Sequence, residues 1–148
     1  MNASALIDTG AILALLDRDD EWHRSCHQAF DATPLPLVTT EAVLTEAFHL
    51  TIRDLGDMRS LWTLIRSGSV RLATIEHDEL PQIHALMVQY RDRPMDFADA
   101  TLVYLAARES LSLILTIDHD DFETYRIAGR KRFTIFPSRK SKSQRFRF

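Results

Sequence analysis

Four carboxylates in this 148-residue sequence stand where a chain of this composition normally places an apolar side chain. Each lies at the edge of an otherwise apolar segment, and the four are Asp8, Glu46, Asp99 and Asp118. A carboxylate against a hydrophobic core is costly unless it is hydrogen-bonded or shares a cation. Asp and Glu oxygens are the ligands that Mg²⁺ and Mn²⁺ prefer. The sequence therefore predicts a fold that gathers the four acids around a hard divalent metal ion.

Two of these acids directly follow a predicted strand. Residues 4–7 and 113–117 are short apolar runs typical of buried strands, and they lead into Asp8 and Asp118. Because ligands of open α/β sheets bind at the carboxyl ends of the strands, we expect both side chains at one edge of the sheet. The alternative is that each is a helix N-cap or turn residue, which is the commoner use of an aspartate after a strand.

The other two acids lie on predicted helices. Glu46 belongs to a helix predicted over 41–54, on or beside its apolar stripe, although a surface glutamate at the border of that stripe is the alternative. Asp99 follows Asp96 by three residues in a helix predicted over 96–109, where Asp96 can cap the helix while Asp99 points inward. Their mutual repulsion at this spacing requires a cation or hydrogen-bond donors between them.

The remaining elements alternate between strands and helices. The predicted strands are 37–39, 70–75 and 133–136, and the predicted helices lie around 11–16, 20–30, 61–65 and 78–90. Such alternation indicates an α/β fold with a mainly parallel sheet covered on both faces. With 148 residues and 45% hydrophobic content, the chain is expected to form one domain with a single core.

Other kinds of site have weaker support. His23, Cys26 and His27 have a spacing that can hold zinc, but no second ligand pair accompanies them, and a solvated helix face is the default. The four glycines form no phosphate-binding loop, which argues against Rossmann and P-loop chemistry. Gly10 also stands where an aspartyl-phosphate enzyme would place a second aspartate after Asp8.

The cysteine count and the N-terminal segment indicate a compartment. A single cysteine excludes an internal disulfide and suits a reducing cytoplasm. The apolar N-terminal stretch contains Asp8 and Asp17 and lacks a basic lead-in, so neither a signal peptide nor a membrane span is expected. We therefore expect a soluble, cytoplasmic protein.

The charge is distributed unevenly along the chain. The formal net charge is −3, and residues 137–148 contribute +5, so the preceding residues carry −8. This Ser-rich basic tail could contact a phosphate backbone or pack on an acidic partner. A solvated, disordered end with no specific contact is an equally reasonable interpretation.

Four segments of the chain contain the four acids in order. They read Leu-Ile-Asp-Thr-Gly-Ala-Ile-Leu-Ala-Leu-Leu-Asp at 6–17, Thr-Thr-Glu-Ala-Val-Leu-Thr-Glu-Ala-Phe at 39–48, Met-Asp-Phe-Ala-Asp-Ala-Thr-Leu-Val at 95–103 and Leu-Thr-Ile-Asp-His-Asp-Asp-Phe at 115–122. Together they resemble the PIN domain, and more narrowly the VapC-type ribonuclease toxins of prokaryotic toxin–antitoxin pairs. The resemblance assigns residues 1–136 to a PIN domain. The tail at 137–148 is not part of the family pattern.

The resemblance implies a fold and a set of site residues. The fold would be three-layered and PIN-like, with the central, mainly parallel sheet flanked by helices. Asp8, Glu46, Asp99 and Asp118 match the acidic quartet that is catalytic and binds Mg²⁺ or Mn²⁺. The supporting positions are Thr9, Asp96 and Thr116. His23 falls where relatives often carry a histidine, which favours a packing role over a zinc ligand.

The resemblance also implies an activity and partners. The protein would be a metal-dependent endoribonuclease that leaves a 5′ phosphate and a 3′ hydroxyl, form a homodimer and be inhibited by a small antitoxin. The alternative is an RNA-processing protein unrelated to toxins, or an interaction module with little catalysis on the same scaffold. The basic residues that could contact RNA are Arg91, Arg93, Arg130, Lys131, Arg132, Arg139 and Lys140.

Overall fold

Five short parallel strands form the central sheet of the computed structural model, which describes residues 2–93 and 95–139. The strands in chain order are β1 (Ala5–Ile7), β2 (Leu37–Thr40), β3 (Val70–Ala73), β4 (Leu113–Leu115), β5 (Arg126–Ile127), β6 (Lys131–Arg132) and β7 (Thr134–Phe136). The central sheet has the order β3-β2-β1-β4-β7, whereas β5 and β6 form a separate antiparallel hairpin. All four pairings in the central sheet are parallel.

Seven α-helices of the described ranges connect and flank these strands. They are α1 (Thr9–Leu16), α2 (His23–Ala32), α3 (Glu41–Leu55), α4 (Arg59–Arg66), α5 (Leu80–Gln89), α6 (Phe97–Glu109) and α7 (His119–Thr124), with a 3₁₀ turn at His77–Glu79. The predicted α/β architecture is therefore confirmed. Within these same ranges, no helix combines the length and the apolar character needed to cross a membrane.

The sheet is the core of the molecule. Leu6 and Ile7 of β1, Leu37 of β2, and Ile114 and Leu115 of β4 are fully buried. Parallel strands covered by helices on both faces have apolar side chains in both directions, which explains why these segments read as unbroken apolar runs. The predicted strands at 4–7, 37–39, 70–75, 113–117 and 133–136 all form.

Two predicted elements differ from the observed ones, and three observed elements had no prediction. The helix predicted over 20–30 begins at His23, because the Asp20 side chain accepts a hydrogen bond from the Trp22 amide in the preceding turn. The helix predicted over 78–90 begins as the 3₁₀ turn before α5. Helix α7 and the hairpin of β5 and β6 are too short to show a hydrophobic period in the sequence.

The strand order places a binding crevice beside β1. Connections leave β1 towards β2 on one side, whereas β4 pairs with its other side, so β1 and β4 flank the point where the chain reverses direction across the sheet. Open α/β sheets bind ligands at the carboxyl edge of such a point. Asp8 follows β1 directly, and Asp118 follows β4 by three residues.

Threonine hydroxyls fix the two helices that carry the other acids. Thr40 caps α3, and its hydroxyl is 2.8 Å from the hydroxyl of Thr101 on α6. The Thr9 hydroxyl donates to the carbonyl oxygen of Val43 on α3 over 3.5 Å. These contacts hold the amino-terminal ends of α1, α3 and α6 near one another at the carboxyl edge of the sheet.

Candidate active site

A cavity of about 240 Å³ lies at this edge of the sheet. Its wall contains six carboxylates, those of Asp8, Glu46, Asp96, Asp99, Asp118 and Asp121. The four acids predicted from the sequence are therefore brought together, although they lie on four different elements. Thr9 also lines the cavity.

Asp8 is the deepest of these acids, with 8% of its surface exposed. Its Oδ1 accepts a hydrogen bond from the Thr9 amide over 2.8 Å, and its Oδ2 accepts one from the Thr116 hydroxyl over 3.1 Å. Asp8 therefore caps α1 and also lines the cavity. The N-cap alternative and the predicted position at the edge of the sheet are both correct. Burial raises the pKa of Asp8 to about 6, against the opposing effect of these hydrogen bonds.

Thr116 connects Asp8 to Asp118. While its hydroxyl donates to Asp8, the same oxygen accepts from the Asp118 amide over 3.0 Å. Asp118 in turn caps α7, because its Oδ1 accepts from the Asp121 amide over 3.3 Å. Partial burial, together with the neighbouring Asp121 and Asp120, raises the pKa of Asp118 to about 6.

Asp99 has the most strongly perturbed carboxyl group of the cavity. Burial raises its pKa to about 8, with further contributions from the charges of Asp8 and Asp96. The hydroxyl of the buried Tyr125 donates to its Oδ2 over 2.9 Å and opposes this shift. Asp96 is exposed and caps α6, since its Oδ1 accepts from the Asp99 amide over 2.8 Å.

Glu46 occupies the rim of the cavity. The side chain is exposed, so it lies at the border of the apolar stripe of α3, which was the alternative left open by the sequence. Buried Val43 and Ala47 form that stripe. The charge of Glu46 contributes to the raised pKa of Asp8, which places the two carboxylates within electrostatic reach.

Asp121 lines the cavity and the buried Tyr125 supports it through Asp99, although the sequence analysis identified neither residue. One carboxylate oxygen from each of Asp99, Asp118 and Asp121 lies within 4.8 Å of the other two. Asp121 also accepts a hydrogen bond from the Arg93 guanidinium over 3.0 Å. The spacing of three residues between Asp118 and Asp121 would have suggested a shared helix face, had α7 been predicted. No sequence signal indicates the role of Tyr125.

This donor set fits a hard divalent cation. The grouped ligand atoms are all carboxylate oxygens, which suit Mg²⁺ or Mn²⁺ rather than softer metals. The pKa values of Asp8, Asp99 and Asp118 are raised because the site is partly buried and the carboxylates repel one another. A cation bound between these carboxylates would stabilise their ionised forms and so lower the three pKa values.

The histidines and cysteine of α2 do not form a comparable site. His23 Nδ1 lies 2.7 Å from the carbonyl oxygen of Ala14, and its ring packs against that of His27. Cys26 is buried, and burial raises the pKa of its thiol to about 12, which disfavours the thiolate that binds zinc. In residues 2–93 and 95–139, these three side chains do not meet as a ligand set. This agrees with the packing role expected for His23.

The basic residues considered for RNA contact fall into three groups. Arg93 and Arg139 are paired with carboxylates, Arg93 with Asp121 and Arg139 with Asp120 and Glu123. Four others are exposed and do not line the acidic cavity, namely Arg91, Arg130, Lys131 and Arg132. Lys140 and the rest of the tail lie outside the described residues.

Comparison with known proteins decides the family. The family model described as "PIN domain" matches residues 5–128, a span that includes every acid of the cavity. The chain belongs to the PIN domain family. Its sequence is 31% identical over 134 residues to Ribonuclease VapC26 of Mycobacterium tuberculosis, covering 89% of this chain and 99% of that protein.

Solved structures share the architecture of this PIN domain. The crystal structure of Mycobacterium tuberculosis VapC20, described as a sarcin-ricin loop cleaving toxin, superposes with a TM-score of 0.71 at 24% identity and covers 79% of this chain and 92% of that one. A toxin-antitoxin complex from Klebsiella pneumoniae gives a TM-score of 0.63 at 23% identity, covering 82% and 92%. At these identities the likeness shows the fold alone.

Proposed function

We propose that this PIN-domain protein is a metal-dependent endoribonuclease and the toxin of a toxin–antitoxin pair. The observation that carries the proposal is the meeting of Asp8, Asp99 and Asp118 in one partly buried cavity at the carboxyl edge of the sheet. The relative that is 31% identical to this chain is named a ribonuclease, and the match covers 99% of its length. This likeness supports RNA as the substrate. We also propose a cytoplasmic location, which agrees with the single cysteine of the chain.

The residues of the cavity have distinct tasks in this mechanism. Asp8, Asp99, Asp118 and Glu46 would hold Mg²⁺ or Mn²⁺ by their carboxylate oxygens. When bound, the ion would lower the pKa of a water nucleophile and stabilise the charge that develops on the phosphodiester. The Thr116 hydroxyl orients Asp8, and the Tyr125 hydroxyl orients Asp99. Without a cation, the six acids would repel a polyanionic substrate.

The direct test is cleavage of a mixed single-stranded and structured RNA pool by the purified protein. We expect no cleavage in EDTA, and cleavage on addition of Mn²⁺ or Mg²⁺, with products that carry a 5′ phosphate and a 3′ hydroxyl. Ligation of the product ends identifies that chemistry. Metal-independent cleavage, or cyclic phosphate ends, would contradict the mechanism. A folded, metal-loaded protein that cleaves no RNA in the pool would favour the interaction module.

Asp121 is expected to support catalysis without being essential. The Asp121→Asn variant should cleave RNA about 10- to 100-fold more slowly, which is typical when a group supporting metal ligands is lost. The expected loss is limited because Arg93 already neutralises part of the Asp121 charge. Single-turnover cleavage at saturating Mg²⁺ measures it. Asp31→Asn, a change at an exposed aspartate of α2 that does not line the acidic cavity, is the matched control and should stay within about twofold of wild type.

The basic tail at 137–148 is proposed to contact the RNA backbone. Removing residues 140–148 deletes four of its positive charges, those of Lys140, Lys142, Arg145 and Arg147. Each phosphate contact to single-stranded RNA contributes about −0.7 to the slope of log K against log salt concentration, so the deletion should flatten the slope by up to about 3. RNA binding by the Asp8→Asn variant between 50 and 300 mM salt measures this. An unchanged slope would assign the tail to another role.

Partner proteins complete the proposal. An open groove of about 700 Å³ continues from the cavity through Glu46, Asp96 and Phe97, and we propose that it accommodates an antitoxin segment. An arginine of such a segment would pair with the carboxylates. Ile52 on α3, Met58 at the N-cap of α4 and Trp62 on α4 are exposed apolar side chains, and we propose that a second copy of the chain covers them in a homodimer.

A further inference from the structure

A second pocket, of about 360 Å³, adjoins the acidic cavity. The two share Ile117 and Asp118 as a common wall. Trp22 and His119 form an aromatic side of this pocket, and Arg139 forms another. Its volume falls in the range of small-molecule sites, about 300–1,000 Å³, and is ample for one planar ring system. Neither the sequence motifs nor the mechanism above assigns it a role.

A ring contact and several hydrogen bonds position the residues on the aromatic side of the pocket. The rings of Trp22 and His119 lie 5.2 Å apart and are tilted by 37°. His119 is buried, and its Nε2 lies 2.7 Å from the carbonyl oxygen of Pro137. The Trp22 amide donates to Asp20 over 2.8 Å, whereas its carbonyl accepts from the Cys26 amide over 2.8 Å. These hydrogen bonds fix the main chain of Trp22, and its side chain is partly exposed and lines the pocket.

The charges of the pocket disfavour a phosphate. Asp118 and Asp120 both lie in its wall. The guanidinium of Arg139 also lies there, and it is paired with Asp120 over 2.6 Å and with Glu123 over 3.0 Å. Among the described residues of the wall, a phosphate would therefore meet Asp118 and an arginine that is already paired, whereas a neutral heterocycle can place its face on the ring of Trp22.

We propose that this pocket binds the nucleobase of a nucleotide next to the scissile phosphodiester, by stacking on Trp22. The inference rests on the proposed function, because the phosphodiester in question is the one bound at the acidic cavity. A base is joined to the phosphate by a single sugar, so two adjoining cavities with a common wall match the two parts of one nucleotide. Aromatic stacking of single-stranded bases is the general way in which proteins hold such substrates.

Fluorescence of Trp22 tests the contact without relying on activity. The chain has two tryptophans, and Trp62 packs on Phe48 and lines neither pocket, so Trp62→Phe leaves Trp22 as the only tryptophan. In the Trp62→Phe protein with its acidic residues intact, and with Ca²⁺ in place of Mg²⁺ to slow cleavage, a short single-stranded RNA should quench Trp22 emission saturably. The same RNA with an abasic nucleotide at the flanking position should quench it far less. Binding seen by anisotropy of labelled RNA with unchanged Trp22 emission would overturn the subsite.

Cleavage kinetics give the complementary result. Trp22→Leu keeps an apolar side chain but loses the aromatic face, and we expect KM to rise roughly 10-fold or more with a smaller change in kcat. Trp22→Phe should retain most of the affinity, which separates stacking from a loss of packing. On the abasic substrate, wild type and Trp22→Leu should be equal. Equal KM values of wild type and Trp22→Leu on intact RNA would overturn the subsite but not the proposed ribonuclease activity. A wild-type protein that neither binds nor cleaves RNA would overturn both proposals.

Discussion

The Asp8→Asn variant is expected to fold like wild type and to cleave RNA at least about 1,000-fold more slowly. Asp8 contributes two positioned carboxylate oxygens, and each is already oriented by a hydrogen bond, from the Thr9 amide and from the Thr116 hydroxyl. Substitution by asparagine keeps the shape and the N-cap but removes the charge that holds the cation. Losing several kcal/mol of transition-state stabilisation corresponds to about three orders of magnitude in rate.

Single-turnover cleavage, circular dichroism and metal titration distinguish this result from misfolding. Asp31→Asn is the matched control, because Asp31 is an exposed aspartate on α2 and does not line the cavity. Its cleavage rate should equal that of wild type. Wild-type cleavage by a well-folded Asp8→Asn protein would refute the assignment of this cavity as the active site. Asp118→Asn and Asp99→Asn should show losses of similar size.

Without metal, the protein is expected to become less stable as the pH rises from 5 to 8. The folded state raises the pKa of Asp99 to about 8, and those of Asp8 and Asp118 to about 6, above the ordinary value of 3.8. The folded protein therefore binds protons that the unfolded chain has released, so stability is greatest in acid and falls as these carboxyls ionise. Thermal unfolding in EDTA should show Tm decreasing over this interval.

Replacing Asp99 by asparagine should remove most of this pH dependence. At pH 8 in EDTA, the Tm of Asp99→Asn should exceed that of wild type by several degrees, since about 1 kcal/mol moves the Tm of a domain of this size by roughly 3 °C. The difference in Tm between the two proteins should shrink as the pH falls and vanish only below the ordinary carboxyl pKa of 3.8, where Asp99 is protonated in both the folded and the unfolded wild type. Added Mg²⁺ or Mn²⁺ should raise the Tm of wild type at pH 8 more than that of the variant. A wild-type Tm that rises from pH 5 to pH 8 in EDTA would contradict the origin assigned to the pKa shift of Asp99.

The Asp99→Asn variant tests whether the acidic site lowers the stability of the protein in exchange for cation binding. Crowded, partly buried carboxylates destabilise the fold, and the same crowding prepares a high-affinity site for a cation. The Tyr125 hydroxyl can still donate to the amide oxygen of an asparagine at position 99, so the gain in Tm reflects the removed charge. A gain in Tm accompanied by a loss of cleavage would locate both effects in Asp99.

The sequence by itself determined the class of the fold, and it identified four acids that the structure brings to one cavity. Parallel strands buried on both faces must be nearly continuous apolar runs, so the runs ending at Ile7 and Leu115 could be read directly. An acid that directly follows such a run lies at the carboxyl end of its strand, and therefore at the carboxyl edge of the sheet. For this reason Asp8 and Asp118 were identifiable without coordinates.

Local patterns left the role of the same acids ambiguous, and the structure removed the ambiguity. Asp8, Asp96 and Asp118 are all N-caps, as the commoner interpretation held. One carboxylate oxygen is enough for a cap, and the side chain of each also lines the cavity. Capping and site formation are compatible because helix amino termini converge at the carboxyl edge of a parallel sheet.

Tertiary structure alone decided the remaining parts of the site. Asp121 lies on a six-residue helix, too short for a hydrophobic period, and Tyr125 reaches Asp99 across 26 positions of the chain. The side chain of Glu46 is exposed, which a helical stripe cannot distinguish from burial at its border. The pairing of Arg93 with Asp121 and of Arg139 with Asp120 also depends on distances between elements. Residue types and spacings along the chain encode local structure and burial, whereas the contacts that orient a side chain or shift its pKa arise only when separate elements pack together.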